Sequence, residues 1–309
     1  MGRYVARRLL QMIPVFIGST LLVFLMMYAL PGDPVRALAG EQHVDATQIA
    51  QIKADLGLDQ PIWMQYLNYL GNLFQGDLGT QIGTQRPVAD VIADAYPITV
   101  RLAIFAFVFT VVAGISLGII AGLKAESLRD RGLLGLTLVL ISMPSFVLGF
   151  LVQHLFAFQL GIAKPNVSIE PTNGELIMPA VVLASLSLAY VARLTRTSVA
   201  ENLRADYMRT AVAKGLPRRR VIGVHLMRNS LIPVVTFLGT DIGALMGGAI
   251  VTEGIFNIKG VGQLVFEALG KREGATVVGI VTLLVIVYLV CSLLVDLLYA
   301  VLDPRIRYA

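Results

Sequence analysis

The stretch LLQMIPVFIGSTLLVFLMMYAL, residues 9–30, carries no charged side chain over a length that an α-helix extends to about 33 Å, enough to cross a hydrocarbon core of about 30 Å. Arg3, Arg7 and Arg8 precede it, as in a secretory signal. The run is long for a signal core, however, and no small-x-small cleavage site follows, so a retained membrane helix is expected. The whole chain has the same character. Of its 309 residues 56% are hydrophobic and 15% charged, with a mean hydropathy of +0.75, which excludes an ordinary soluble domain. The apolar residues lie in uninterrupted blocks rather than in the alternating or helical-period patterns of a water-soluble core.

Further uncharged blocks run over 102–123, 132–152 and 176–192, the last one short and extending past Arg193 if that side chain snorkels. A fifth block, 231–252, is interrupted only by Asp241, and a sixth, 275–295, continues past Asp296 to Leu302. The expected fold class is therefore all-α, a polytopic membrane bundle of six transmembrane helices with both termini on one side. Loop charge orients it. The N-terminal arginines, Lys124, Arg129 and Arg131, Arg305 and Arg307, and the arginine-rich stretch 193–228 all fall on one face. By the positive-inside rule that face is cytoplasmic, so the N and C termini are too. Residues 33–97 then lie outside, as small helices that include an amphipathic stretch through Trp63, Tyr66, Leu67 and Leu70.

The cytoplasmic basic stretch holds more than topology demands. Asp206-Tyr207-Met208-Arg209-Thr210-Ala211-Val212-Ala213-Lys214-Gly215-Leu216-Pro217 reads as a short helix stopped by Gly and Pro. Arg209-Thr210-Ala211-x-Ala213-Lys214-Gly215, followed by Arg228-Asn229-Ser230-Leu231-Ile232-Pro233, resembles the loop that marks the inner-membrane permeases of ATP-binding-cassette importers, in the form found in the B-type subunit of dipeptide and oligopeptide transporters. Matching motifs lie along the chain. They are Pro31-Gly32-Asp33-Pro34, Leu56-Gly57-Leu58-Asp59-x-Pro61, Gly76-Asp77-Leu78-Gly79, Glu253-x-Ile255-Phe256 with Gly260-x-Gly262, and Leu302-Asp303-Pro304-Arg305-Ile306-Arg307. Arg209 and Thr210 depart from the general permease pattern, and the proline lies farther from Gly215 than usual; peptide-type members share these changes.

The resemblance implies a type I importer permease fold. Residues 1–94 form the first helix and an extracytoplasmic segment, 95–303 a permease domain, and 304–309 a cytoplasmic tail in a bacterial inner membrane. It implies a heterodimer with a second homologous permease, two ATPase subunits that bind ATP and Mg, and an extracytoplasmic substrate-binding protein. Asp206, Arg209, Thr210, Ala211, Ala213, Lys214 and Gly215 would couple to the ATPase. Small side chains at 211, 213 and 215 permit close backbone approach, and Arg209 and Lys214 can pair with carboxylates. A surface-lying amphipathic helix is the alternative.

No cofactor or metal is expected on this chain. It has no G-x-x-x-x-G-K-[ST] phosphate loop, its three histidines are scattered, and Cys291 is its single cysteine. It is therefore expected not to be an enzyme, and its net charge of +5 points to the membrane face rather than to nucleic acid. Asp241, a carboxylate in mid-span, and Glu253, at the outer edge of the same span, are the candidates for the translocation pathway or its gate. Asp241 has a helix-to-helix hydrogen bond as its alternative, and Glu253 simple surface exposure. Gly239, Gly243, Gly247 and Gly248 suggest close packing of that helix against another subunit. Pro144 and Pro179 are expected to bend two spans around a cavity. The leading function is import of short peptides, with a nickel chelate, haem or another small solute as the alternative. A secondary transporter or membrane-embedded enzyme would need a cluster of buried polar groups that the sequence does not show.

Overall fold

A computed structural model describes residues 2–28, 46–55, 57, 59–81 and 83–302. The motif 31–34, the residues Leu56 and Leu58, and the tail 304–309 with Arg305 and Arg307 lie outside them.

Among the described residues, five helices are long and apolar enough to cross a bilayer. They belong to α1 (Gly2–Tyr28), α4 (Val88–Gly122), α7 (Asn173–Leu203), α10 (Ile232–Phe256) and α12 (Gly274–Leu302). In lipid no water is available to backbone amides, so helices, which satisfy those groups internally, are the natural spanning element. Among the described residues, the short helices α2 (Ala46–Asp55) and α3 (Ile62–Phe74) fall between α1 and α4.

The stretch 132–152, expected to be a span bent at Pro144, is broken outright there. It folds as α5 (Leu128–Ser142) and α6 (Ser145–Gln159), which meet at 107°. Pro144 accounts for the break: it lacks an N–H and disfavours the helical conformation at the residue before it, and Met143 is extended at φ −93°, ψ 129°. Pro179, by contrast, interrupts nothing, because α7 runs straight through it. The fourth span is also longer than its apolar block, continuing past Arg193 and Arg196 to Leu203.

α7 is the most buried of the five, packed by α4, α5, α6 and α10. Its contact with α4 is made backbone to backbone. A β-carbon added to Gly114 would lie 2.8 Å from the Val191 side chain, one added to Gly118 2.5 Å from Thr195 and 2.6 Å from the Ala192 carbonyl oxygen, and one added to Gly122 2.8 Å from the Arg196 carbonyl oxygen. These glycines recur every fourth residue along one face of α4, an extended small-xxx-small seam. Leu102, Leu176, Val182, Leu245, Phe256 and Ile258 fill the core beside it.

At one end of the bundle Arg8 pairs with Asp296 at 2.8 Å, joining the start of α1 to the end of α12. Toward the other end α3 docks on the same two helices. Tyr66 Oη donates to the Ile17 carbonyl at 3.1 Å and packs edge-on against Phe24, and the Tyr69 hydroxyl meets Thr282 Oγ1 at 2.6 Å. Tyr66 and Leu70 therefore form the docking face, whereas Trp63 and Leu67, expected with them, are exposed. The Gly76-Asp77-Leu78-Gly79 motif forms a turn: both glycines have positive φ, and the Gly79 N–H donates to Asp77 Oδ1 at 2.8 Å.

The α4–α7 seam makes a direct expectation. Gly118→Val should destabilise the purified protein by about 1–3 kcal/mol through overpacking, lowering its melting temperature in detergent, whereas Gly135→Val, at a position with open space around it, should leave it unchanged.

Candidate functional site

α8 (Asp206–Ala213) follows α7 directly, at the end of the bundle where Arg8 meets Asp296. Its C-terminus is closed by a left-handed Gly215 at φ +72°. The Gly215 N–H donates to the Val212 carbonyl at 2.9 Å and the Leu216 N–H to the Ala211 carbonyl at 3.3 Å, the double bond pattern that a glycine at this position permits. One face of α8 is fixed to the body. Met208 and Ala211 are buried among Val199, Val221 and Leu226, and Tyr207 Oη donates to Asn202 Oδ1 at 2.7 Å. Its neighbour α9, residues 218–230, supplies Val221 and Leu226 and leads into α10.

The other face is open. Asp206, Arg209, Thr210, Ala213 and Lys214 are exposed and fall at helical spacing along it, with Gly215 just beyond and Val212 64% exposed beside it. Arg209 and Asp206 approach to only 3.7 Å between highly solvated side chains, a pair too weak to immobilise either. Ala211 parts company with the rest of the expected coupling set: it faces its own chain, one helical step away from Ala213, and belongs to the anchoring face.

The opposite end holds Glu253, which is not a surface charge but fully buried. Its Oε1 accepts from Thr99 Oγ1 at 2.6 Å, and its Oε2 accepts from the N–H groups of Gly262 at 2.7 Å and Gln263 at 3.1 Å. Thr99 Oγ1 in turn accepts from the Val261 N–H at 2.9 Å. These amides form the first turn of α11 (Val261–Gly270), so a carboxylate from α10 caps a different helix, where the helix dipole favours negative charge. Gly260 and Gly262 are required by the same clamp, since a β-carbon at either would collide with the Glu253 carboxylate, and at 262 also with the Ile250 backbone. The turn before α11 is set by Asn257 in the left-handed conformation. The Glu253-x-Ile255-Phe256 and Gly260-x-Gly262 motif is thus one structural unit.

Asp241 is 6% exposed and turned toward α7, where Ser187 Oγ donates to its Oδ1 at 2.7 Å. Its Oδ2 has no hydrogen-bond partner among the described residues. The glycines flanking it serve this chain rather than another subunit: Gly239 packs on Val295 and Gly243 on Tyr288, both of α12, and Gly248 on Leu183 of α7. Only Gly247 has open space around it. Asp241 and Glu253 are therefore not brought together with α8.

Two buried groups escaped the reading of the sequence. Thr99 gave no signal on its own. Asp130, which pairs with Arg196, stands in a Ser127-x-x-Asp130 pattern that marks a helix start, and Arg196 lies in the basic stretch 193–228, whose charge served only to orient the chain.

The Glu253 clamp is testable. Glu253→Gln turns an amide NH2 toward backbone donors and should cost about 2–3 kcal/mol, read as a lower melting temperature and faster proteolysis between residues 257 and 273. Glu170→Gln, at an exposed position outside the clamp, should change neither.

Residues 1–103 match the family described as "Binding-prot-dependent transport system membrane comp, N-term", and residues 114–308 the one described as "Binding-protein-dependent transport system inner membrane component". The dipeptide transport system permease protein DppB of Escherichia coli K12 is 38% identical, over 100% of this chain and 99% of the relative. The di/tripeptide transport system permease protein DppB of Pseudomonas aeruginosa is 38% identical over 99% and 98% of the two chains. The glutathione transport system permease protein GsiC of Escherichia coli O6:H1 is 39% identical over the full length of both. Together with the apolar helices, these likenesses place the protein: it belongs to the binding-protein-dependent transport system inner membrane components, as a multi-pass permease subunit of an ATP-binding-cassette importer.

Proposed function

We propose that this subunit forms half of a pathway importing dipeptides and other short peptides, and that α8 is the helix through which separate ATPase subunits drive it. The observation that carries the reading is the two-sided character of α8. Met208 and Ala211 rivet it to the ends of α7 and α9, while Asp206, Arg209, Thr210, Ala213, Lys214 and Gly215 face outward with no structural duty that requires exposure. A partner gripping the outer face would displace the spanning helices through the inner one.

In this reading the α8 end is cytoplasmic, in keeping with the exposed Arg204, Arg218, Arg219, Arg220 and Arg228 around it, and both termini lie on that side. ATP and Mg are held by two ATPase subunits, a homologous permease supplies the other half of the pathway, and a substrate-binding protein delivers solute to the opposite end. The peptide cargo follows from the names of the relatives. Glu253 shapes the outer mouth by fixing α11 rather than by touching solute. Asp241, with one oxygen lacking a donor, is the carboxylate placed to meet water or solute when α7 and α10 separate.

The test is ATP-driven uptake of a labelled dipeptide into proteoliposomes carrying the complete complex. Wild type should accumulate peptide. The double variant Arg209→Glu, Lys214→Glu, inserted normally, should retain ATPase subunits roughly tenfold more weakly and lose uptake in proportion. Unchanged ATPase retention and uptake in that variant would rule out docking at α8.

A further inference from the structure

Asp130, in the first turn of α5, is 1% exposed and accepts three hydrogen bonds. Arg196 of α7 donates from Nε to Oδ1 at 2.7 Å and from a terminal nitrogen to Oδ2 at 2.5 Å, and the Glu126 N–H donates to Oδ2 at 2.8 Å. A two-pronged guanidinium–carboxylate contact of this kind fixes direction as well as distance. The turn ahead of α5 is built around it. Glu126 adopts φ +68°, unusual for a residue with a side chain, and Ser127 Oγ accepts from the Asp130 N–H.

α5 has few other attachments. Leu133 and Thr137 are its remaining buried residues, while Leu128, Leu136, Leu138 and Val139 are exposed. At its far end it passes through the Pro144 break into α6, which is tied to the end of α10. There Gln153 Nε2 donates to the Pro165 carbonyl at 2.7 Å and to the Ile255 carbonyl at 3.4 Å, and Gly149 lets the Ile255 side chain come close. Ile255 is two residues from Glu253. Arg196, at the other end, lies two turns before Leu203, where α7 ends and α8 follows. The α5–α6 pair is thus fastened at one end to the helix that carries α8, and at the other beside the clamp that holds α11.

We propose that Asp130 and Arg196 are positioning residues: their ion pair is the joint through which displacement of α8 reaches α5–α6 and, through Gln153 and Ile255, the outer end of α10. The inference rests on the reading of α8 as the ATPase-docking helix. The pair is suited to the role because it is a two-pronged polar attachment of α5 to α7 whose carboxylate is shielded from water. Removing Arg196 leaves Asp130 charged and buried, and removing Asp130 frees the Arg196 fork; either change loosens this joint without touching the outward face of α8.

The experiment measures peptide taken up per ATP hydrolysed, together with ATPase copurification, for the complete complex in proteoliposomes. Asp130→Asn and Arg196→Gln are each expected to lower uptake per ATP roughly tenfold while copurification stays at the wild-type level. Arg196→Lys, which keeps the charge but not the fork, should fall between them and wild type. The exchange variant Asp130→Arg with Arg196→Asp should regain about half of the lost ratio, the signature of a direct interaction between the two positions. A normal ratio in both single variants, or an exchange variant no better than they are, would overturn the proposal. Should the single variants fail to insert, the exchange variant alone decides by the same criterion. A wild-type complex from which the ATPase does not copurify would overturn the docking reading itself and this inference with it.

Discussion

The close approach of α4 to α7 is the contact on which the remaining architecture depends. Between helices in lipid the hydrophobic effect supplies no net attraction, so association relies on van der Waals packing and on polar contacts between helices. Gly114, Gly118 and Gly122 remove the side chains that would hold the two backbones apart, and α7 becomes a buried axis around which the other helices are arranged. Its buried polar attachments include Ser187 to Asp241 on α10 and Arg196 to Asp130 on α5. A buried polar group is costly unless satisfied, so each such bond also fixes the register of the helix that bears it.

The two ends of this axis are built on opposite plans. At one end α8 keeps a row of charged and small side chains in solvent and buries only what anchors it. At the other, Glu253 and Thr99 turn their polar atoms inward and close the turn between α10 and α11 with no exposed remainder. An end prepared for a partner and an end whose interior is self-satisfied suit a device in which force enters at one side and shape changes at the other. The broken span α5–α6 is fastened near both, through Asp130 to Arg196 and through Gln153 to Ile255. Its break at one proline makes it a bent strut rather than a straight rod.

Much of this was legible in the residues. Uninterrupted apolar runs fixed the spanning helices because lipid tolerates nothing else, and the α8 motif stood out because Ala and Gly between basic residues exceed what loop charge requires. What escaped depends on distant partners. Pro144 announced a bend in the run 132–152, but its size, 107°, is not written in composition. Pro179 carries the same local signal inside an unbroken helix. The glycines of α10 were read as an intersubunit surface, but three of the four pack within the chain, while the regular series at 114, 118 and 122 marks the tighter seam. Ala211 and Ala213 are alike in sequence and separated only by the angle between residues two apart on a helix. Glu253 at the edge of a span gave no sign of the backbone amides ten residues on that neutralise it.

The central claim is that the exposed face of α8 seats against a separate ATPase subunit. A thiol-specific crosslink from Ala213→Cys, in a chain whose Cys291 has been replaced by Ser, tests it most directly in membranes containing the assembled transporter. A covalent adduct with the ATPase subunit, changing in yield between the nucleotide-free and ATP-bound states, is the expected result. Adducts that never include that subunit, although the same membranes take up peptide, would contradict it.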